Sequence, residues 1–250
     1  MKNRNIMLNC DMGESFGCWK IGNDAATMPY IDMANIACGF HASDPQTMNH
    51  TIKLAFENEV SIGAHPSYPD LLGFGRRSMS IQPSEITNIL IYQIGALVGF
   101  CSSNNTELSY VKPHGALYHD MLANNDLFEA VIDATSVFDV PLMTLASNDN
   151  QAQLDIADKY DVPLLFEAFA DRAYLSNGQI APRNIPQSVL STEEDILSQV
   201  AQIVNYGKIR TLDGYSLALE PDTICIHSDN SISLDIIEKI KKILTHDFSV

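Results

Sequence analysis

Residues 8–14 read LNCDMGE, so the first strand-like segment of the chain runs directly into the carboxylates Asp11 and Glu14. The same arrangement recurs along the chain, because other apolar segments also end in side chains of the kind that act in catalysis. These side chains are His41, His65, Lys112, His114, Glu167, Asp171, Arg172, His227 and Asp229. Acids, bases and cations that follow successive parallel strands converge on the carboxyl-end face of a β/α barrel or sheet, where such folds place their active sites.

Strand-like runs alternate with helical patterns through the whole chain, which is typical of repeated β/α units. Asp44-Pro45 predicts a helix start, and a hairpin is expected over 209–220. A long polar loop is expected over 170–190. The strands are expected near residues 6–9, 35–38, 61–64, 109–112, 141–145, 163–167 and 223–227. The pattern predicts a single α/β domain over residues 1–250, a seven-unit β/α barrel whose distortion or incomplete closure is left open. A doubly wound open sheet is the alternative.

The charge of the chain limits its partners. Fifteen Lys and Arg against 31 Asp and Glu give a net charge of −16, which disfavours binding to nucleic acid or to a membrane surface. An anionic substrate would therefore need local positive charge. Arg76, Arg77, Arg172 and Arg183 lie in loops that follow strands, where they could supply it.

Compartment is suggested by the cysteines and the apolar segments. Five unclustered cysteines indicate buried, reduced thiols rather than disulfides. The N-terminus does not resemble a signal peptide. The longest apolar stretch, residues 89–101, contains Gln93 and is shorter than a membrane span. We expect a soluble, cytoplasmic protein.

Asp11 and Glu14 are candidates for acid–base chemistry, because two carboxylates in different environments can act as base or metal ligand and as acid. Glu14 could instead cap a turn. His41, His65 and His114 follow three different strands and, with Asp11, form a candidate set of proton carriers or metal ligands. Their spacing lacks a compact metal motif. The remaining histidines, His50, His119 and His246, are interpreted as surface or structural residues.

Two segments carry candidate binding groups. In residues 112–115, KPHG, the proline holds Lys112 and His114 rigidly, and Lys112 could stabilise an oxyanion or pair with Glu167. In residues 169–174, FADRAY, Arg172 is suited to gripping a carboxylate, with Asp171 orienting it. No standard phosphate-binding glycine motif is present, and residues 73–77, GFGRR, are the one loop suited to meet phosphates.

Several segments in order along the chain resemble the LamB/YcsF family. They are residues 8–17, 34–42, 63–66, 73–77, 92–97, 111–118 and 167–174. The resemblance implies a β/α barrel of the glycoside hydrolase/deacetylase type. It also implies ATP-dependent 5-oxoprolinase activity, in which the lactam of 5-oxo-L-proline is opened to L-glutamate with hydrolysis of ATP to ADP and phosphate. The family member works with two partner subunits, B and C.

This resemblance gives the candidate residues working roles. The hypothesis is that Asp11 or His114 activates water, that Lys112 or His65 stabilises the oxyanion, and that Arg172 binds the substrate carboxylate. Glu14 is a further catalytic candidate. The other substrate-binding candidates are His41, Arg76, Glu167, Asp171 and His227. ATP, with Mg²⁺, is the expected cofactor, and a further divalent metal held by some of Asp11, His41, His65 and His114 is left open.

Two other functions are compatible with these residues. One is a stand-alone metal-dependent deacetylase or amidohydrolase, and the other is a non-catalytic subunit that delivers substrate. Three serines also stand where the family pattern leads us to expect glycine, namely Ser43, Ser67 and Ser228. Each follows a candidate histidine within two residues, so these serines could narrow the pocket and alter the choice of substrate.

Overall fold

A computed structural model describes residues 5–227 and 234–245, and its central feature is a closed barrel of seven parallel strands. The barrel strands are β1 Met7–Met12, β2 Met33–Ala37, β3 Ser61–His65, β4 Tyr110–Val111, β5 Leu142–Leu145, β6 Leu164–Phe169 and β9 Thr223–Ile226. They neighbour one another in that order, and β9 pairs with β1 to close the barrel. The seven-unit barrel is confirmed, and the open-sheet alternative is wrong.

Helices connect the strands and lie around the barrel. They are α1 Asp24–Thr27, α2 Pro45–Glu57, α3 Pro83–Ser103, α4 Gly115–Ala123, α5 Asn125–Ser136, α6 Gln151–Ala157, α7 Glu193–Tyr206 and α8 Leu234–Leu244. Short 3₁₀ turns cover Met28–Tyr30 and Asp158–Tyr160. The predicted start of α2 is confirmed, because the Asp44 carboxylate accepts hydrogen bonds from the backbone N–H groups of Gln46 and Thr47.

The inside of the barrel is partly polar. Asn35 Nδ2 donates to Asn9 Oδ1 at 2.8 Å, and the Tyr110 hydroxyl donates to Asn35 Oδ1 at 2.7 Å. Asn9 Nδ2 in turn donates to the Thr223 hydroxyl at 3.0 Å. This network joins β1, β2, β4 and β9 across the barrel. Because unpaired buried amides are costly, it helps to fix the register of these strands.

Two segments lie outside the repeated units. The predicted hairpin is confirmed: β7 Lys208–Arg210 pairs antiparallel with β8 Ser216–Ala218, and Gly214 lies in the turn. The segment 170–190 is not a simple polar loop, because much of it is buried and two isolated β-bridges fold it back on itself. It contributes one side of the cavity at the carboxyl end of the barrel.

Helix α3, Pro83–Ser103, is longer than the apolar stretch 89–101, which is itself shorter than a membrane span. Among the described residues it is the one helix long and apolar enough to cross a membrane, by length and composition alone. One face of α3 is buried, and on it the Gln93 side chain accepts from Ser67 N and donates to Ser67 O. A core helix passes the same test, so α3 is weak evidence for a span.

The cysteine prediction holds in most respects. No disulfide joins any of the five cysteines, and four of them are buried, whereas Cys18 is exposed.

Gly63 tests the packing of the barrel interior. A Cβ on Gly63 would overlap the Tyr110 ring, which is fully buried and tethered to Asn35. We expect Gly63→Ala to lower the free energy of unfolding by about 1–3 kcal/mol, measured by urea denaturation. The control is Gly95→Ala on an exposed position of α3, where a Cβ meets nothing within 4 Å. The control should be neutral or stabilising by up to about 1 kcal/mol. Equal stability of Gly63→Ala and the parent would contradict this packing.

Candidate active site

A cavity of about 470 Å³ opens at the carboxyl end of the barrel strands. Its size is that of a small-molecule site. Seven of the eleven candidate residues line it: Asp11, His65, Arg76, Lys112, His114, Arg172 and His227. The other four are buried directly against them: Glu14, His41, Glu167 and Asp171. The structure therefore brings all eleven of these candidates into one site.

Asp11 lies at the centre of this site. Its Oδ1 accepts from Asn35 Nδ2 at 2.8 Å and from Lys112 Nζ at 3.3 Å. Its Oδ2 lies 3.3 Å from His65 Nε2 and 3.7 Å from His227 Nε2. Burial alone would raise the pKa of Asp11, but the neighbouring His65 and the Lys112 ammonium together hold that pKa well below its usual value. Asp11 is therefore an ionised carboxylate that lies buried in the lining of the cavity.

Lys112 is enclosed by protein groups. Its Nζ lies 3.0 Å from Glu167 Oε2 and 3.2 Å from Asn9 Oδ1, in addition to its contact with Asp11. The Cys225 sulfur is 3.1 Å away. Burial opposes the charge of Lys112, but Asp11, Cys225 and Glu167 raise its pKa well above the usual value. The expected ion pair with Glu167 is present. The Lys112 ammonium therefore neutralises the carboxylates of Asp11 and Glu167 and is not directed at a substrate.

Three imidazoles and a carboxylate form a second group beside Asp11, which we call the histidine cluster: Glu14, His41, His65 and His114. His65 Nε2 and His114 Nδ1 are 2.9 Å apart, and Glu14 Oε1 lies 3.5 Å from His41 Nε2. The rings of His41 and His114 stack with centroids 3.8 Å apart. Burial lowers the pKa of both rings well below the usual value, and neighbouring imidazoles lower it further. Glu14 Oε1 faces these rings.

His227 and Asp171 form a separate pair on the other side of Asp11. The Asp171 carboxylate accepts from His227 Nδ1 at 2.9 Å, which leaves His227 Nε2 directed towards Asp11. Burial alone would lower the pKa of His227, but the charge and hydrogen bond of Asp171 raise it above the usual value. The sequence placed Asp171 beside Arg172, and the structure gives its hydrogen bond to a histidine 56 residues away.

Positive charge gathers at one wall of the cavity. The buried Arg172 guanidinium donates to Ala181 O at 2.7 Å and to Ser188 O at 3.4 Å. Burial and the charge of Arg183, with a smaller effect of Arg76, lower the pKa of Arg172 to about 10. The three guanidinium groups of Arg172, Arg183 and Arg76 lie close enough to lower one another's stability as cations. An anionic group bound at this wall would relieve that repulsion. Arg77, in contrast, is paired with Asp70.

Two of the three serines that stand where glycine was expected, Ser43 and Ser67, lie in the part of the chain that the structure describes. Ser67 is buried and its hydroxyl lies 3.0 Å from His41 Nδ1, so it positions that ring. Ser43 is buried with a φ of 74°, the left-handed region that favours glycine. Ser228 and Asp229 lie outside the described residues.

Sequence reasoning missed the polar residues inside the strands. Asn9, Asn35, Tyr110 and Cys225 hold Lys112 and Asp11 in place. The signal was an asparagine in each of two apolar strands, which is unusual enough to mark a functional position. The exposed His119, interpreted as a surface residue, also lines the rim of the cavity.

A closed β/α barrel with ionised carboxylates, histidines and arginines gathered at the carboxyl ends of its strands has the architecture of an enzyme. The chain belongs to the LamB/YcsF family, whose model matches residues 6–249.

Relatives and a solved structure agree with this family. A protein of Vibrio cholerae serotype O1, named as the A subunit of 5-oxoprolinase, is 59% identical over 98% of this chain and 99% of its own length. A Pseudomonas aeruginosa protein, likewise named as an A subunit of 5-oxoprolinase, is 49% identical over 96% of this chain and 97% of its own. The crystal structure of a lactam utilization protein from Thermus thermophilus superposes with a TM-score of 0.88 at 36% identity, covering 97% of this chain and 96% of that one.

Ser43 offers a test of strain next to the site. Replacing it with glycine should raise the free energy of unfolding by several tenths to about 1 kcal/mol, because glycine adopts a positive φ without steric cost. Ser43→Ala keeps the Cβ and removes the hydroxyl, so it should not stabilise. Urea denaturation of both variants measures the difference, and a stabilised Ser43→Ala with an unchanged Ser43→Gly would contradict the assignment of strain.

Proposed function

We propose that this chain is the A subunit of a 5-oxoprolinase and that it opens the lactam ring of 5-oxo-L-proline to give L-glutamate. The observation that carries the proposal is the near full-length similarity, at 59% identity, to a protein named as the A subunit of 5-oxoprolinase. The cavity supports it independently, since it combines an ionised carboxylate, a histidine–aspartate pair and a positively charged wall.

The reaction needs activation of the lactam. Water must form a bond to the carbonyl carbon, the C–N bond must break, and the ring nitrogen must gain a proton. Transfer of the γ-phosphoryl group of ATP to the carbonyl oxygen, with release of ADP, makes that carbon more electrophilic. Attack by water and loss of the nitrogen then leave an acyl phosphate, which a second water cleaves to glutamate and phosphate.

Asp11 is the base that we assign to the attacking water. It is ionised, lines the cavity and is fixed by Lys112 and Asn35. His114 suits this role less well, because its Nε2 is bound to the carbonyl of Phe74 and its Nδ1 is directed at His65 Nε2, 2.9 Å away. Lys112 supports the reaction as a positioning residue that keeps Asp11 charged.

The His227–Asp171 pair is the proton carrier that we assign to the other side of Asp11. Asp171 fixes the proton on Nδ1, so Nε2 of the neutral ring is free to take up a proton and return it to the leaving nitrogen. The carboxylate of 5-oxo-L-proline, or its phosphoryl group after activation, would bind at the wall formed by Arg172, Arg76 and Arg183.

ATP, with Mg²⁺, would be handled largely by the partner subunits B and C. The sequence has no standard phosphate-binding glycine motif, which supports this division of labour. The overall negative charge of the chain is suited to partners with basic surfaces.

The histidine cluster supports one alternative, a metal-dependent amidohydrolase that acts without ATP or partners. Such an enzyme would release product when supplied with metal alone and would be inhibited by a chelator.

The test is release of glutamate from 5-oxo-L-proline with Mg-ATP, comparing this chain alone with this chain plus subunits B and C of a closely related complex. Activity that requires all three subunits and ATP is the expected result. No glutamate from the mixture, while B and C are active beside their own A subunit, would contradict the proposed function. Activity of this chain alone without ATP would favour the amidohydrolase.

Asp11→Asn should lower the kcat of the assembled complex by about 100-fold or more, because an amide cannot accept the proton of water. The fold should persist with a lowered free energy of unfolding, because Lys112 loses one charged partner but keeps its pair with Glu167. Circular dichroism and complex assembly check the fold. The matched control is Glu57→Gln, an exposed carboxylate on α2, which should leave kcat unchanged. Parent-like turnover by Asp11→Asn would remove Asp11 from the mechanism.

The pH–rate profile tests the role of His227. Only a neutral His227 can take up the proton that it then gives to the leaving nitrogen. The value of kcat/KM should therefore fall as the pH drops through the His227 pKa, which Asp171 raises. Asp171→Asn removes the charge that raises this pKa, so the fall should move to lower pH, with a reduced plateau. A profile whose acid limb does not move in Asp171→Asn would show that His227 is not the titrating group.

A further inference from the structure

We propose that Glu14, His41, His65 and His114 form a binding site for one divalent transition-metal ion of the zinc class. The inference does not rest on the proposed function, because it concerns metal binding by this chain alone. Three imidazole nitrogens and one carboxylate oxygen are ligands that Zn²⁺ and its neighbours in the first transition row accept readily.

The donor atoms already lie close together. One donor atom from each of the four side chains falls within 4.8 Å of all the others. His65 Nε2 is 2.9 Å from His114 Nδ1, and Glu14 Oε1 lies 3.7 Å from His114 Nδ1. Bonds of about 2.0–2.1 Å around a tetrahedral ion separate its ligands by about 3.4 Å. These two separations bracket that value, so Glu14, His65 and His114 need only small movements, whereas the His41 ring, which stacks on that of His114, must turn further.

The protons of His65 and His114 are directed away from their contact. His65 Nδ1 lies 2.6 Å from the carbonyl of Lys112, and His114 Nε2 lies 2.9 Å from the carbonyl of Phe74. A carbonyl oxygen only accepts, so both of these nitrogens carry hydrogen. In neutral rings the facing nitrogens, His65 Nε2 and His114 Nδ1, then both present lone pairs across 2.9 Å. A cation bound to both lone pairs removes this repulsion.

His41 is held in the same manner. The Ser67 hydroxyl donates its hydrogen to Tyr68 O at 2.8 Å, so it accepts from His41 Nδ1. This leaves the lone pair of His41 Nε2 for the cluster. Among residues 5–227 and 234–245 that nitrogen has no hydrogen-bond partner, and Glu14 Oε1 is 3.5 Å from it.

These hydrogen bonds have the arrangement found around metal sites. A metal-binding histidine usually donates its other N–H to a carbonyl or another acceptor, which fixes the ring and its tautomer. All three rings of the cluster do so, through acceptors on three different segments of chain. The Ser67 hydroxyl therefore orients the His41 ring, which the glycine expected at this position could not do because it has no side chain.

The charge balance of the buried site points in the same direction. Four buried carboxylates, Asp11, Glu14, Glu167 and Asp171, accompany two buried cations, Lys112 and Arg172. Protonation of His227 would offset one of the two excess negative charges. A divalent cation in the histidine cluster would lower the cost of the remaining charge.

The ring orientations predict unequal ligands. The His41 and His114 rings are parallel within 3°, whereas the His65 ring is nearly perpendicular to both. An imidazole lone pair lies in its ring plane, so an ion bound by His65 and His114 lies outside the plane of His41. We infer that His41 is the weakest of the three histidine ligands.

Metal binding is tested on the purified full-length chain after treatment with EDTA. Titration with Co²⁺, followed by its visible d–d absorption, and with Zn²⁺, followed by calorimetry and elemental analysis, should give one ion per chain. His65→Ala and the near-isosteric Glu14→Gln should weaken binding about 100-fold or more, and His41→Ala should weaken it less. Ser67→Ala should weaken it by no more than His41→Ala does, because it acts only by freeing the His41 ring.

The matched control is His50→Ala, an exposed histidine on α2 that should leave metal affinity unchanged. Circular dichroism of each variant separates loss of a ligand from loss of fold. Absence of Co²⁺ absorption and of Zn²⁺ binding in the folded parent at pH 8 would overturn the proposal, and the His65–His114 contact would then be assigned to a shared proton. Undiminished binding by both Glu14→Gln and His65→Ala would overturn it as well.

Discussion

The buried ammonium of Lys112 is the constraint on which the rest of the site depends. It lies between Asp11 on β1 and Glu167 on β6, with Asn9 and Cys225 completing its surroundings. Taking a charge out of water costs several kcal/mol, which its partners must offset. Loss of one partner leaves an uncompensated charge inside the barrel and destabilises by about 3–5 kcal/mol. The ammonium therefore ties together strands that are distant in the sequence.

Asp11 links this constraint to the chemistry. One carboxylate oxygen is held by Lys112 and Asn35, and the other faces His65 and His227. The same residue thus borders both the histidine cluster and the proton-carrying pair that we assign. A metal ion in the histidine cluster and a proton on His227 would each change the electrostatic potential at Asp11. The protonation of Asp11, of the cluster and of His227 is therefore coupled.

The sequence was sufficient for the barrel and for the membership of the site. Apolar runs ending in polar side chains predicted all seven barrel strands, including β4, which has only two residues in the structure. Each candidate group lies in the carboxyl-terminal half of a strand or in the segment that follows it, and closure of the barrel brings the strand ends together. Membership of the site could therefore be predicted without knowing the orientation of any single side chain.

The pairing of the side chains could not be read in the same manner. His227 meets Asp171 because β9 lies beside β6, an order that only closure establishes. Strands buried on both faces show no alternation, so nothing in the sequence told which side of β1 or β2 faces the barrel interior. The burial of segment 170–190 also depends on long-range contacts, such as the bridge of Arg172 with Val189.

The most direct test of this account is a double-mutant cycle of Lys112→Met and Glu167→Gln in the free energy of unfolding. We predict that each single variant loses about 3–5 kcal/mol and that the double variant loses less than the sum by about 1–3 kcal/mol. Losses that simply add, or a Lys112→Met variant as stable as the parent, would contradict the central role of the buried ammonium.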